Sequence, residues 1–128
     1  MEKLRRSYPQ IAPALGQFHR AVRVGDFLFI AGTTARGTQA EAGSMQDQFR
    51  VTLNRLRAIV EAEGGSAKDL VMFTTYVTSI QEWNACATER QAFYEECFHG
   101  EYPTNTLVEI SALALPGLKV EIEAIAAL

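Results

Sequence analysis

Two glutamates in "LKVEIEAIA" are the clearest candidates for chemistry. Glu121 and Glu123 alternate with Val120, Ile122 and Ala124, so in a strand they share one face, about 7 Å apart along it. Paired carboxylates can divide acid and base work when burial raises the pKa of one. A solvated strand face or an intersubunit ion pair would produce the same pattern. A second polar set lies in "YPTNTLVEI", where alternation puts Asn105, Leu107, Glu109 and Ser111 on one face and Thr106, Val108 and Ile110 on the other. Other chemistry-bearing residues are sparse. His19 falls in a predicted strand, and His99 at a helix end, where an imidazole meets the C-terminal dipole. Cys86 and Cys97 lie on one predicted helix, too far apart along its axis to bridge, and read as buried thiols. The glycines are isolated and the histidines distant from each other, which gives no support to a dinucleotide fingerprint, a phosphate loop or a metal site. No cofactor is implied.

A small set of elements must position these residues. "HRAVRVGDFLFIAGT" predicts two strands around a Gly25-Asp26 turn. "SMQDQFRVTLNRLRAIVEAEGG" predicts a helix that opens with Ser44 and Asp47 in capping-box spacing and closes at Gly64-Gly65. Its apolar stripe is Met45, Phe49, Leu53, Leu56, Ile59 and Val60. "LVMFTTYVT" predicts a strand, after which Ser79 and Glu82 repeat the capping spacing before a second helix through Phe98. Trp83, Ala87, Tyr94 and Cys97 form its buried stripe, His99-Gly100 ends it, and Pro103 fixes the entry to the next strand.

The order is β-β-α-β-α-β-β. Two helices of ~30 Å or less can cover one face of a sheet with four or five strands, not both. The open face is expected to carry Leu107 beside Glu109, with apolar side chains from the strands at 27–33 and 71–78. Such a face suggests self-association, with a polar cleft where subunits meet.

At 128 residues, 48% hydrophobic and 21% charged, the chain reads as one soluble domain, 1–128. Residues 1–10, with the basic run "KLRR", are expected to be a poorly ordered or peripheral N-terminal segment. A net charge of −3 and a pI near 5.4 give no electrostatic reason for a nucleic-acid or membrane partner. No apolar run of signal-peptide or membrane-span length is present, so the expected location is cytoplasmic.

From about Ile11 to Ala126 the chain resembles the Rid, or YjgF, family of reactive-intermediate deaminases. The matching segments are "APALGQFHRAVRVGDFLFIAGT", "LNRLRAIVEAEGGSAKDLVMFTTYVT", "YPTNTLVEISAL" and "KVEIEAIA". The resemblance implies a chorismate-mutase-like α+β sheet with two helices on one face, assembled as a homotrimer with three intersubunit clefts. It also implies cofactor-independent hydrolysis of an enamine or imine to an oxo acid and ammonia. Glu121 matches the carboxylate that positions the attacking water. In the family's best-known branch an arginine after the proline of the "YP" motif grips the substrate carboxylate. Here that position is Asn105, which carries no charge for such a fork. Leu107, Ala31 and Phe18 stand where that branch has cysteine, serine and tyrosine, so the cleft becomes more apolar.

The resemblance therefore points to Glu121 as catalytic, and to Asn105, Thr106, Leu107, Phe18, Ala31 and Gly32 as substrate-binding. A 2-aminomuconate-type substrate fits the altered lining better than 2-aminoacrylate. Arg20 or Arg90 would supply a displaced positive charge, unless both are exposed strand and helix charges. The alternative is a trimeric small-ligand-binding or regulatory protein without turnover, since fold does not fix function.

Overall fold

The computed structural model describes residues 1–128. Its strands are β1 (Leu4–Arg6), β2 (Ala21–Val24), β3 (Phe27–Thr33), β4 (Leu70–Val77), β5 (Thr104–Glu109) and β6 (Val120–Ala127). Its helices are α1 (Met45–Ala62), α2 (Ile80–Ala85) and α3 (Ala87–Phe98). All six strands form one sheet in the order β1-β2-β3-β6-β4-β5, the expected α+β class. Only β4 and β5 pair in parallel, and α2 and α3 supply the crossover this requires.

Local signals account for most boundaries. Gly25 takes φ 60° and, with Asp26, closes the β2–β3 hairpin, in which Val24 faces Phe27. Ser44 Oγ accepts from the Asp47 N–H at 3.1 Å, and Ser79 Oγ from the Glu82 N–H at 3.0 Å, so both helix starts are capped as the spacing predicts.

Within the peripheral N-terminal segment, Leu4, Arg5 and Arg6 pair with Arg23, Val22 and Ala21 as an edge strand. Two expectations are corrected. The second helix is broken at Cys86, with φ −106° and ψ 25°. There the Trp83 carbonyl accepts from the Arg90 guanidinium and the Cys86 thiol, side-chain donors that stabilise the interruption. Finally, Asn105, Leu107 and Glu109 pair with Phe73, Thr75 and Val77, whose side chains are all on the helix-covered side. Leu107 and Glu109 are therefore not on the open face. Leu107 packs against the core, and Glu109 Oε1 accepts from the Ile80 N–H at the start of α2.

The core lies between the sheet and the helices: Leu28, Phe73, Ile122 and Ala126 meet Phe49, Leu53 and Leu56 of α1 and Phe98 of α3. The opposite face is uncovered and apolar, with Phe27, Phe29 and Met72 exposed by 50%, 46% and 45%. A hollow of about 370 Å³ on it is lined by Val22, Phe29, Met72, Ile125 and Glu123. No helix is long and apolar enough to cross a membrane.

Candidate active site

The site grows out of an irregularity in β3. Ile30 pairs with Ala124 and Thr33 with Ile122, so Ala31 and Gly32 together oppose the single residue Glu123. This β-bulge turns backbone carbonyls away from the ladder and re-aims nearby side chains. Arg20 takes up those carbonyls. It is only 4% exposed, and its guanidinium donates to Gly32 O at 3.0 Å, Ala31 O at 3.1 Å and Thr33 Oγ1 at 2.5 Å. The exposed-strand reading of Arg20 is thus wrong, because the bulge creates acceptors that only a non-local donor can satisfy.

Glu121 reaches across from β6 to the bulge. A Cβ at Gly32 would overlap its Oε1 and stand 2.8 Å from its carboxyl carbon, so the glycine is needed for this approach rather than for an unusual backbone angle. The Glu121 carboxylate is half-buried, and no side-chain hydrogen bond or ion pair within the chain satisfies it. Burial pushes its pKa above the ordinary carboxylate range; Arg20 opposes the shift and Glu123 adds to it. Glu123 sits in different surroundings: it is exposed and accepts from Tyr76 Oη at 3.0 Å. The two carboxylates therefore lie on one face, as the alternation predicts, but Glu121 lines the pocket at the bulge and Glu123 the hollow on the open face.

That pocket has a volume of about 300 Å³, with Phe18 on its wall, Gly32 and Glu121 on the bulge side, and Arg20, Arg36 and Arg55 around it. Arg55 projects from α1 and donates through Nη1 to Thr34 O at 2.7 Å and Arg36 O at 2.9 Å, fixing the segment after β3. Gln48, two turns earlier on the same side of α1, is fully buried and ties the two loops flanking the pocket. Its Nε2 donates to Glu41 O, Gly43 O and Gly117 O, and its Oε1 accepts from the Lys119 N–H.

Of the expected site residues, Glu121, Gly32 and Phe18 line this pocket. Ala31 lines the hollow on the open face instead. Asn105, Thr106 and Leu107 are on β5, separated from β6 by β4. Asn105 is on the helix-covered side of the sheet, with its Oδ1 accepting from Thr75 Oγ1 at 2.7 Å, and Thr106 is on the other side. One chain does not bring the two groups together. Arg90 is also remote, its guanidinium stacked 3.9 Å from the Trp83 ring centroid.

Sequence reasoning missed Arg36 and Arg55. A signal existed for Arg55: Gln48, Thr52 and Arg55 recur at i, i+4 and i+7 along the border of the apolar stripe of α1, which marks a polar seam rather than a solvated face. Arg36 lies in irregular chain and has no such periodicity.

The model of the family described as Endoribonuclease L-PSP matches residues 9–128. Escherichia coli (strain K12) TdcF, provisionally named a reactive intermediate deaminase, is 32% identical over 91% of this chain and 92% of its own. The structure of E. coli TdcF with bound serine superposes with a TM-score of 0.82 and 29% identity, covering 99% of each chain. Rv2704 from Mycobacterium tuberculosis, described as a member of the YjgF/YER057c/UK114 family, superposes with a TM-score of 0.77 and 30% identity over 99% of this chain and 100% of that one. The chorismate-mutase-like arrangement is the one these neighbours share. With the bulge, Gly32 and Glu121 in place, the chain belongs to the Endoribonuclease L-PSP family, the Rid or YjgF family that its motifs resemble.

Proposed function

We propose that the chain hydrolyses an enamine or imine to an oxo acid and ammonia, with Glu121 as the base that orients and deprotonates water. The observation that carries this reading is the Glu121 carboxylate: half-buried, without a partner inside the chain, and raised in pKa at the wall of the pocket beside the bulge. An enamine first tautomerises to the imine. Water then adds to the C=N carbon and gives a proton to Glu121, which returns it to nitrogen, forming a carbinolamine. Glu121 next takes the hydroxyl proton and passes it to the amine, and the C–N bond breaks as the C=O forms, leaving an oxo acid and ammonia. The imine carbon is already electrophilic, so an oriented water and a proton path suffice.

The separation of Asn105 from Glu121 favours a site completed by a second copy. A neighbouring chain whose β5 edge lies over the pocket would join the two groups, and the apolar face with Phe27, Phe29 and Met72 offers the contact surface. A homotrimer with three clefts meets both needs. Phe29→Lys places a charge on that face, which should yield smaller species in sedimentation velocity together with lost activity. Wild-type protein that sediments as a monomer would remove this part of the reading.

Leu15 and Phe18 on the pocket wall, with Arg36 and Arg55 beside them, suit a larger unsaturated substrate carrying a second carboxylate, of the 2-aminomuconate type, over 2-aminoacrylate. The family's description names an endoribonuclease. A chain of net charge −3 whose basic residues surround a small pocket suits a compact anion better than an extended phosphate backbone. The test is ammonia release from freshly generated 2-aminoacrylate and 2-aminomuconate, with Glu121→Gln setting the spontaneous baseline. Acceleration that Glu121→Gln abolishes is expected. No acceleration of either compound would favour a ligand-binding protein without turnover.

A further inference from the structure

Three guanidinium groups and one carboxylate surround the pocket, and none of the three, Arg20, Arg36 or Arg55, is within ion-pair distance of an acid. Four salt bridges form elsewhere in the chain, so carboxylates are not scarce. A formal excess of two positive charges in a chain of net charge −3 is a local imbalance that a ligand can neutralise.

The three arginines are not equivalent. Arg20 donates to three oxygens of the bulge, yet its buried Nε has no partner. Arg55 uses Nη1 on the backbone and leaves Nη2 and Nε unengaged. Arg36 is bound only through its backbone: its N–H donates to Thr34 Oγ1 and its carbonyl accepts from Arg55, while its guanidinium, on a half-buried residue lining the pocket, has no hydrogen-bond or ion-pair partner. Two guanidinium groups lining one pocket, one without a partner and the other anchored through a single Nη1, can offer a fork to a planar anion.

We infer that Arg36 and Arg55 form a carboxylate-binding subsite in the Glu121 pocket, and that the pocket prefers a dicarboxylate to the matching monocarboxylate. The inference rests on the proposed reaction only for the assignment of the ligand's other end to Glu121. Arg20 contributes field rather than a fork, because its donors hold the bulge. The preference follows from charge: a dianion balances the formal excess, whereas a monoanion leaves one charge unmet.

The experiment is calorimetric titration of the full-length protein with 2-oxoglutarate and with 2-oxopentanoate, which differ by one carboxylate. Wild type should bind 2-oxoglutarate more tightly. Arg36→Ala should weaken 2-oxoglutarate binding by about 10- to 100-fold, as expected for loss of charge-assisted hydrogen bonds, and 2-oxopentanoate binding by less. Arg36→Lys should recover part of the loss. The Arg36 side chain makes no hydrogen bond or ion pair within the chain, so the unfolding temperature of Arg36→Ala should match wild type and confirm that the loss is local. Equal affinity for the two probes, no millimolar binding of either, or an Arg36→Ala affinity within twofold of wild type would each overturn the inference. The two readings fail separately. Glu121-dependent ammonia release with Arg36-independent binding refutes only the subsite, and Arg36-dependent binding without turnover refutes only the reaction.

Discussion

Gln48 offers the sharpest test of how the pocket is held. It is fully buried; its Nε2 shares two N–H donors among Glu41 O at 3.2 Å, Gly43 O at 3.1 Å and Gly117 O at 2.8 Å, and its Oε1 accepts from the Lys119 N–H at 2.8 Å. Three acceptors facing one end and a donor facing the other fix the amide orientation. Gln48→Leu keeps the volume and removes about three bonds' worth of interaction. At about 0.5–1.5 kcal/mol net each, with some of the loop carbonyls regaining water, the loss should be about 2–4 kcal/mol. That is a large part of a typical total stability of ~5–15 kcal/mol. The unfolding entropy of a chain this size is about 0.27 kcal/mol/K, so the Tm should fall by roughly 7–15 °C. Gln48→Glu separates donor from acceptor: it keeps the oxygen facing Lys119 but points a carboxylate at three carbonyls. It should be at least as destabilised near neutral pH and recover in acid, where the protonated group can donate once. Calorimetric unfolding measures both. A loss below about 1 kcal/mol for Gln48→Leu would mean that water replaces the glutamine and that the loops are held by other contacts.

Three further outcomes follow from the site. Burial raises the Glu121 pKa in the folded protein, so its stabilising contribution is complete below the ordinary carboxylate value of about 4.3 and is lost as pH rises through the raised value. Glu121→Gln should therefore match wild type in Tm near that lower pH and exceed it increasingly toward neutrality, while wild-type activity falls as pH drops through the same raised pKa; a Tm difference independent of pH would refute the burial argument. Gly32→Ala should cost at least about tenfold in kcat/KM with only a few degrees lost in Tm, since a Cβ there displaces a flexible carboxylate rather than backbone. Unchanged kinetics would show that the close approach of Glu121 to the bulge is not the reactive arrangement. Asn105→Ala should alter 2-oxoglutarate affinity by less than about threefold, whereas Arg36→Ala exceeds tenfold; the reverse order in titration would return the carboxylate to β5.

The legible and illegible parts of the fold divide by the range of the interactions. The Gly25-Asp26 hairpin and the caps at Ser44 and Ser79 rest on contacts within four residues, and sequence spacing states them directly. The break at Cys86 depends on Arg90 reaching back to Trp83, which helical periodicity does not encode. Alternation in β5 separated its two faces correctly but could not say which one meets the helices. Parallel register against β4 decides that, and it places Asn105 beside Phe73. Arg20 reads as exposed because charged residues generally are. Its burial follows from carbonyls freed by a bulge that forms only when β3 and β6 pair. Glu121 was legible through its family motif and its alternation. Of the pocket's cations only Arg20 was named, as one of two candidates; Arg36 and Arg55 were not, because they come from separate segments of chain that only the folded structure brings to the pocket.

Those cations bear on why an uncharged Asn105 is tolerated. The resemblance implies an arginine there in the best-known branch, and its replacement would ordinarily leave a substrate carboxylate with a neutral donor worth about 0.5–1.5 kcal/mol. A guanidinium 4 Å from a carboxylate, at an effective dielectric of about 20, contributes about 4 kcal/mol before desolvation. A carboxylate offered both would settle at the pocket's arginines. Asn105 is then free for a different task. Its Oδ1 is engaged by Thr75, which orients the amide and leaves its two N–H donors for an uncharged acceptor. An imine nitrogen is such an acceptor, and an amide can hold it without the charge repulsion that an arginine would impose as the nitrogen gains its proton. The residue that looks like a loss on β5 is thus consistent with a positive charge carried instead by the loop after β3 and by α1.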